Sequence, residues 1–126
     1  MLLDTNAAFW LLTDSPRLST AARSAIAAAP TCFLSSVTVV EFRIKEMKGK
    51  LRVPAGLIND VVASGLTMLP FTAVHADRLL AFPELVDHDP FDRMLVAQAE
   101  VEGVPFVTGD RALLALDLPW IIDATR

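Results

Sequence analysis

Short apolar runs that stop at a polar residue alternate with helix-like patterns along this chain, and that alternation restricts its fold more than any other feature. It points to crossover connections, hence to a mainly parallel sheet covered by helices on both faces. Met1-Leu2-Leu3-Asp4 predicts a first strand at 1–4, and four more are expected at 31–35, 66–70, 104–108 and 119–122. Helices are expected over 6–12, 19–28, 55–64 and 111–115, with another from a Ser36 cap to Lys48. That helix should stop at Gly49, which suits the left-handed turn after a helix. Thr72 is expected to cap a helix reaching Leu80, and residues 82–88 read as a loop. Asp89-Pro90 is a strong helix start, because aspartate caps free amides and proline at the first helical position loses no needed hydrogen bond. That helix should run to Glu102 or Gly103.

Composition narrows the class. At 126 residues, with 53% hydrophobic and 21% charged residues, the chain fits one globular domain with one core, expected to span 1–126. No apolar run approaches the roughly 20 residues needed to cross a bilayer, and residues 1–12 lack a signal-peptide pattern, so the expected location is cytoplasmic. A lone Cys32 in an apolar stretch reads as a buried thiol and excludes an internal disulfide or a thiolate metal cage. The net charge of -4 argues against a basic coat for unselective nucleic-acid binding. Positive charge is nevertheless concentrated, with five of the eleven basic residues lying between Arg43 and Arg52. Those cations suit either a helix C-terminus or contact with phosphate.

Four carboxylates stand where such a fold ends strands or buries apolar side chains. Asp4 ends the first run, and Asp110 follows Val104-Pro105-Phe106-Val107-Thr108-Gly109. Glu41 is spaced to share a helical face with Val37, Val40 and Ile44, and Asp92 to share one with Leu95, Val96 and Ala99. Ligands of open α/β sheets bind beyond the carboxyl ends of the strands, near the point where strand order reverses. Clustered carboxylates either take up protons or bind a cation, and Mg²⁺ or Mn²⁺ suits hard oxygen ligands. Such ions activate water and neutralise the leaving oxygen in phosphodiester cleavage.

Each acid also has a plainer reading. Asp4 and Asp110 fit as N-caps, Asp92 as the capping-box partner of Asp89, and Glu41 as an i, i+4 ion pair with Lys45. Caps do not require acids at all of these crevice-facing positions, so the plainer readings explain less together than singly. Of the two histidines, His75 reads as a packing or surface residue. His88 borders the Asp89-Pro90 turn, where contact with a substrate is the less favoured reading of a signal weaker than that of the acids. Trp10, Phe9 and Phe42 read as core aromatics.

Four motifs in this order resemble PIN domains, and among those the VapC toxins of bacterial toxin-antitoxin pairs. They are Met1-Leu2-Leu3-Asp4-Thr5-Asn6-Ala7-Ala8-Phe9-Trp10, Ser36-Val37 through Glu41 with Lys45 and Gly49-Lys50-Leu51, Asp89-Pro90-Phe91-Asp92-Arg93, and Val107-Thr108-Gly109-Asp110. The resemblance implies a three-layer α/β/α PIN-like fold with a central mainly parallel sheet of four to five strands. It also implies a Mg²⁺-dependent endoribonuclease, with Mn²⁺ as substitute, held inactive by a VapB-type antitoxin and commonly dimeric. On the matching positions, Asp4 and Asp92 would be the principal metal ligands, Asp110 a supporting one, and Glu41 the residue that orients the attacking water. Thr5, Asn6 and Thr108 would fix those acids. Departures fall beside the acids: Asp87 and His88 stand where relatives often have histidine and arginine, Asn6 where many have histidine, and Gly109 where arginine is frequent.

The resulting expectation is hydrolysis of RNA by metal-activated water, leaving a 5′-phosphate and a 3′-hydroxyl. Arg43, Lys45, Lys48 and Arg93 are the candidate RNA contacts. A PIN-like binding module without catalysis is the main alternative. An aspartate-nucleophile phosphatase is weaker, since that chemistry needs a second acid where Asn6 stands.

Overall fold

The computed structural model describes residues 1–126. In chain order the elements are β1 (Leu2–Leu3), α1 (Thr5–Leu12), α2 (Thr20–Ala28), β2 (Phe33–Ser35), α3 (Ser36–Met47), α4 (Leu57–Ala63), β3 (Thr67–Leu69), α5 (Ala73–Asp77), α6 (Pro90–Glu102), β4 (Phe106–Thr108), α7 (Arg111–Leu114) and β5 (Ile121–Asp123). The five strands form one sheet in the order β3-β2-β1-β4-β5, and every pairing is parallel. Leu2 is in register with Phe33 on one side and Phe106 on the other, so the shortest strand lies at the centre. The chain builds outward from β1 to β3, then crosses back to place β4 on the opposite side of β1. That reversal makes the gap beyond β1 and β4 the switch point of the sheet.

Alternation along the strands divides the interior into two layers of contact. Leu3, Leu34 and Val107 face a core completed by Ala7, Ala8 and Trp10 of α1, Ala22 and Ile26 of α2, and Leu57 and Val61 of α4. Their neighbours Leu2 and Phe106 point the other way, against Leu95, Val96 and Ala99 of α6, Leu113 of α7 and Val37 of α3. A period of two in the strands therefore packs helices on both faces, giving the three-layer α/β/α arrangement. Cys32 is buried in the first of these cores, and burial pushes its thiol up to about 11, which keeps it unreactive.

Several local expectations are corrected. Helix α3 is capped by Ser35, whose Oγ accepts from the Val37 amide at 3.0 Å; Ser36 is already helical, and its Oγ accepts from the Phe71 amide at 3.0 Å. The buried stripe of α3 is Val37, Thr38, Glu41 and Phe42, while Val40 is 50% exposed, because the stripe is turned one residue from the expected register. The helix after Thr72 tightens into a 3-10 turn at Arg78–Ala81 rather than continuing as α-helix. Residues 82–88 are not a featureless loop: Pro83–Leu85 form another 3-10 turn, and Phe82 and Leu85 are buried anchors of the second core.

Candidate active site

Strand β1 delivers Asp4 to the switch point, where it becomes the N-cap of α1. Its Oδ1 accepts from the Ala7 amide at 2.6 Å, and Thr108 at the end of β4 donates its hydroxyl to Oδ2. The same Thr108 oxygen accepts from the Asp110 amide at 3.0 Å, so one side chain ties the two strand-end acids together. Asp110 caps α7, its Oδ1 accepting from the Ala112 and Leu113 amides at 2.8 and 3.0 Å. The capping readings of both aspartates hold, and each cap also fixes the direction of a carboxylate.

Glu41 reaches the site from α3. Thr5 donates its hydroxyl to Glu41 Oε1 at 2.7 Å and lies 3.3 Å from the Thr38 hydroxyl, linking the starts of α1 and α3. Lys45 Nζ stands 2.7 Å from Glu41 Oε2, so the i, i+4 pair is formed, with Glu41 buried and Lys45 half-exposed. A glutamate on the inward stripe is thus met by a lysine that reaches over it from the rim.

Asp92 enters from the first turn of α6, where Asp89 caps through Oδ1 to the Phe91 and Asp92 amides at 2.9 and 3.3 Å. The capping-box reading of Asp92 is not met, because its Oδ2 instead lies 3.1 Å from His88 Nε2. His88 Nε2 is also 3.7 Å from Asp110 Oδ2. His88 therefore sits among the acids, a placement that its weak sequence signal did not reveal. Its spacing of four residues from Asp92, across a helix start, was the available clue.

Charge accumulates where these segments meet. Burial first, then the charges of Asp89, Asp110, Asp4 and Glu41, push the Asp92 carboxyl up to about 7. Burial likewise raises Asp4 to about 6, even though Thr108 and two backbone amides oppose the shift. Both shifts come from burial and from like charges brought close together. The donor set fits a divalent ion: ligand atoms of His88, Asp92 and Asp110 all lie within 4.8 Å of one another, and carboxylate oxygen is the preferred donor for Mg²⁺ and Mn²⁺.

Other expected residues divide. Thr5 and Thr108 hold acids, whereas Asn6 is exposed one position round α1 and hydrogen-bonds to none of them. Arg43 pairs with Glu46 at 2.9 Å, Lys45 is engaged by Glu41, and Lys48 is exposed at the end of α3. Arg93 is half-buried beside Asp92, with its Nε sealed from solvent and unpartnered. His75 is a packing residue, buried, with Nδ1 accepting from the Thr72 amide at 2.9 Å and Nε2 lying 2.7 Å from Glu102. At Gly109 a Cβ would come within 2.9 Å of the Trp10 ring, so the indole occupies the space beside the Asp110 backbone. An apolar groove between α1, α3 and α4, lined by Phe9, Leu12, Phe42, Val53, Pro54 and Leu57, includes none of the four acids.

A parallel sheet with acids gathered beyond its switch point defines the class to which comparison with known proteins then gives a name. The family model described as the PIN domain matches residues 1–118, and the chain belongs to that family. It is 29% identical over 115 residues to Ribonuclease VapC22 of Mycobacterium tuberculosis, covering 90% of this chain and 88% of that protein. The fold is shared with a toxin-antitoxin complex from Klebsiella pneumoniae at a TM-score of 0.65 and 18% identity, covering 96% of this chain and 94% of the other. It is shared also with VapBC2 from Rickettsia felis bound to a DNA fragment from their promoter, at a TM-score of 0.66 and 17% identity, covering 97% and 95%.

Proposed function

We propose that this chain is a divalent-metal-dependent endoribonuclease, the toxin of a VapBC-type pair. One observation carries the reading: Asp4, Glu41 and Asp110, from three separate segments, all bear on the buried carboxyl of Asp92 from a fourth, while Thr108 ties Asp4 to Asp110 at the switch point. PIN family membership and the likeness to a VapC ribonuclease support the same activity. Asp4, Asp92 and Asp110 would hold the ion, which supplies charge neutralisation at the scissile phosphate and lowers the pKa of the attacking water. Thr108 sets the rotamer of Asp4, the α7 amides set that of Asp110, and Thr5 with Lys45 holds both oxygens of Glu41, so little reorganisation accompanies substrate binding. In this reading Glu41 orients the water. The water oxygen bonds to phosphorus as the bond to the 3′-oxygen breaks, the water giving up a proton to solvent and the 3′-oxygen taking one from it, which leaves a 5′-phosphate and a 3′-hydroxyl.

Substrate contact is assigned to Arg93 and Lys48, with Arg43 joining as its pair with Glu46 opens toward phosphate, and with Lys45 turning a second N–H to phosphate while it keeps Glu41. Single-stranded loops of folded RNA, whose bases are exposed, are the proposed target. A VapB-type antitoxin as inhibitor, a homodimer and a cytoplasmic setting belong to the same proposal. No helix is long and apolar enough to cross a membrane.

The test is cleavage of labelled structured RNA by purified protein with Mg²⁺ or Mn²⁺, beside EDTA and an Asp4→Asn variant. Loss of cleavage in the last two is expected, and equal cleavage in all would reject the metal mechanism. If no RNA is cut and no metal binds, the chain is a binding module. Sedimentation of the chain alone and with a co-expressed antitoxin checks the assembly.

A further inference from the structure

The tightest group of ligand atoms in the crevice contains an imidazole. His88 Nε2, an oxygen of Asp92 and an oxygen of Asp110 lie within 4.8 Å of one another, with His88 Nε2 3.1 Å from Asp92 Oδ2 and 3.7 Å from Asp110 Oδ2. Opposite ligands of an octahedral ion with bonds of about 2.1 Å stand about 4.2 Å apart, so small side-chain rotations bring all three atoms onto one ion.

We propose that His88, through Nε2, is a direct ligand of the divalent ion held by Asp92 and Asp110, and that this nitrogen tilts the site toward Mn²⁺ over Mg²⁺. The inference rests on the metal-dependent reading of the same site. All three ligands are aimed by backbone features. The His88 amide donates to the Leu85 carbonyl at 2.9 Å, and Leu85 is buried in the core, so the histidine is anchored at the end of a packed 3-10 turn. Asp92 follows one turn later on α6, behind the Asp89-Pro90 start. Asp110 spends Oδ1 on two α7 amides, which leaves Oδ2 turned to His88. Mg²⁺ takes oxygen ligands almost exclusively and dehydrates reluctantly, whereas Mn²⁺ accepts imidazole beside carboxylate more readily.

A rival role for His88 predicts the opposite sign. If it serves only as an internal partner that neutralises Asp92 and Asp110, it competes with the ion, and removing it tightens binding of both metals. The other histidine does not confuse the test, because both ring nitrogens of His75 are engaged, by Thr72 and Glu102.

Full-length protein freed of metal would be titrated with Mn²⁺ and with Mg²⁺ by calorimetry, and its Mn²⁺ form measured by pulsed electron paramagnetic resonance. Wild type, His88→Gln and Asp92→Asn are compared, each checked for folding by its melting transition. The expected result is a signal from directly coordinated nitrogen in wild type that is lost in His88→Gln. That variant should also bind Mn²⁺ about tenfold more weakly, with a change for Mg²⁺ of less than about threefold. Mn²⁺ bound by wild type without a nitrogen signal, or tighter binding of both ions by His88→Gln, overturns the inference. If His88→Gln does not fold, wild type labelled with ¹⁵N-histidine decides it through the change of nitrogen coupling. Failure of wild type to bind either ion rejects the metal reading itself. Binding that Asp92→Asn abolishes and His88→Gln leaves unchanged rejects only the role of His88.

Discussion

At Asp92 burial and the charges of Asp89, Asp110, Asp4 and Glu41 act in one direction, so ionised Asp92 destabilises the metal-free fold. Asp92→Asn keeps the shape and removes the charge. After allowance for the partial exposure of Asp92, it should stabilise the metal-free protein at pH 8 by about 1–2 kcal/mol, read as a rise of several degrees in Tm, while abolishing RNA cleavage. An unchanged or lower Tm would show that the charge is already compensated. Gly109 poses the reverse case, because the Trp10 ring fills the space of any Cβ there. Gly109→Ala should cost about 1–3 kcal/mol by denaturant unfolding, and a neutral result would mean that Trp10 moves freely. The proximity of Trp10 to Gly109 was not legible in the sequence, since nothing local relates residues so distant in the chain.

Helix α3 carries Glu41, and its orientation depends on its first turn. Ser35 caps it, and Thr5 grips Glu41 from the neighbouring helix. Ser35→Ala should lower stability by about 1 kcal/mol through loss of the cap. Thr5→Val, close in shape but without the hydroxyl, should leave Tm within a few degrees and lower kcat more than it raises KM, because Glu41 Oε1 loses its donor. An unaltered kcat would remove Thr5 from the positioning of the site. The existence of this helix and its end before Gly49 were readable from pattern and propensity. Its cap and the rotation of its buried stripe each moved by one residue, since Ser35 and Ser36 are equivalent as caps until Ser36 finds the Phe71 amide across the fold. The 3-10 turn at Pro83–Leu85 escaped reading for a related reason: three residues bear no period, and only Phe82 and Leu85 packing in the second core hold it in place.

Across the whole molecule, acidity and stability are linked through the crevice. Burial and neighbouring charge raise the carboxyls of Asp4 and Asp92 to about 6 and about 7, above the ordinary aspartate value of about 3.9 that holds in the unfolded chain. The folded protein therefore binds more protons than the unfolded chain between about pH 4 and pH 7, so metal-free stability should fall as pH rises through that window and level off above it. Unfolding in EDTA at pH 4.5, 6 and 8 measures the trend, and stability that rises across this range would contradict it. Millimolar Mn²⁺ at pH 8 should restore the loss, by about 2.7 kcal/mol when the ion stands at a hundred times its Kd.

The alternation of apolar strands with helices already contained the parallel sheet and its two covered faces, because each strand between crossovers must be apolar on both sides. The four acids were also visible, since charge at strand ends and on buried stripes is rare enough to be noticed one residue at a time. Tertiary structure alone decided which groups meet. It placed β4 beside β1 so that Thr108 could join Asp4 to Asp110, brought Thr5 and Lys45 onto Glu41, exposed Asn6, and seated His88 between Asp92 and Asp110. Periodicity records which face a residue occupies along its own element. Contact between elements depends on strand order, rotation and packing, which no local pattern encodes.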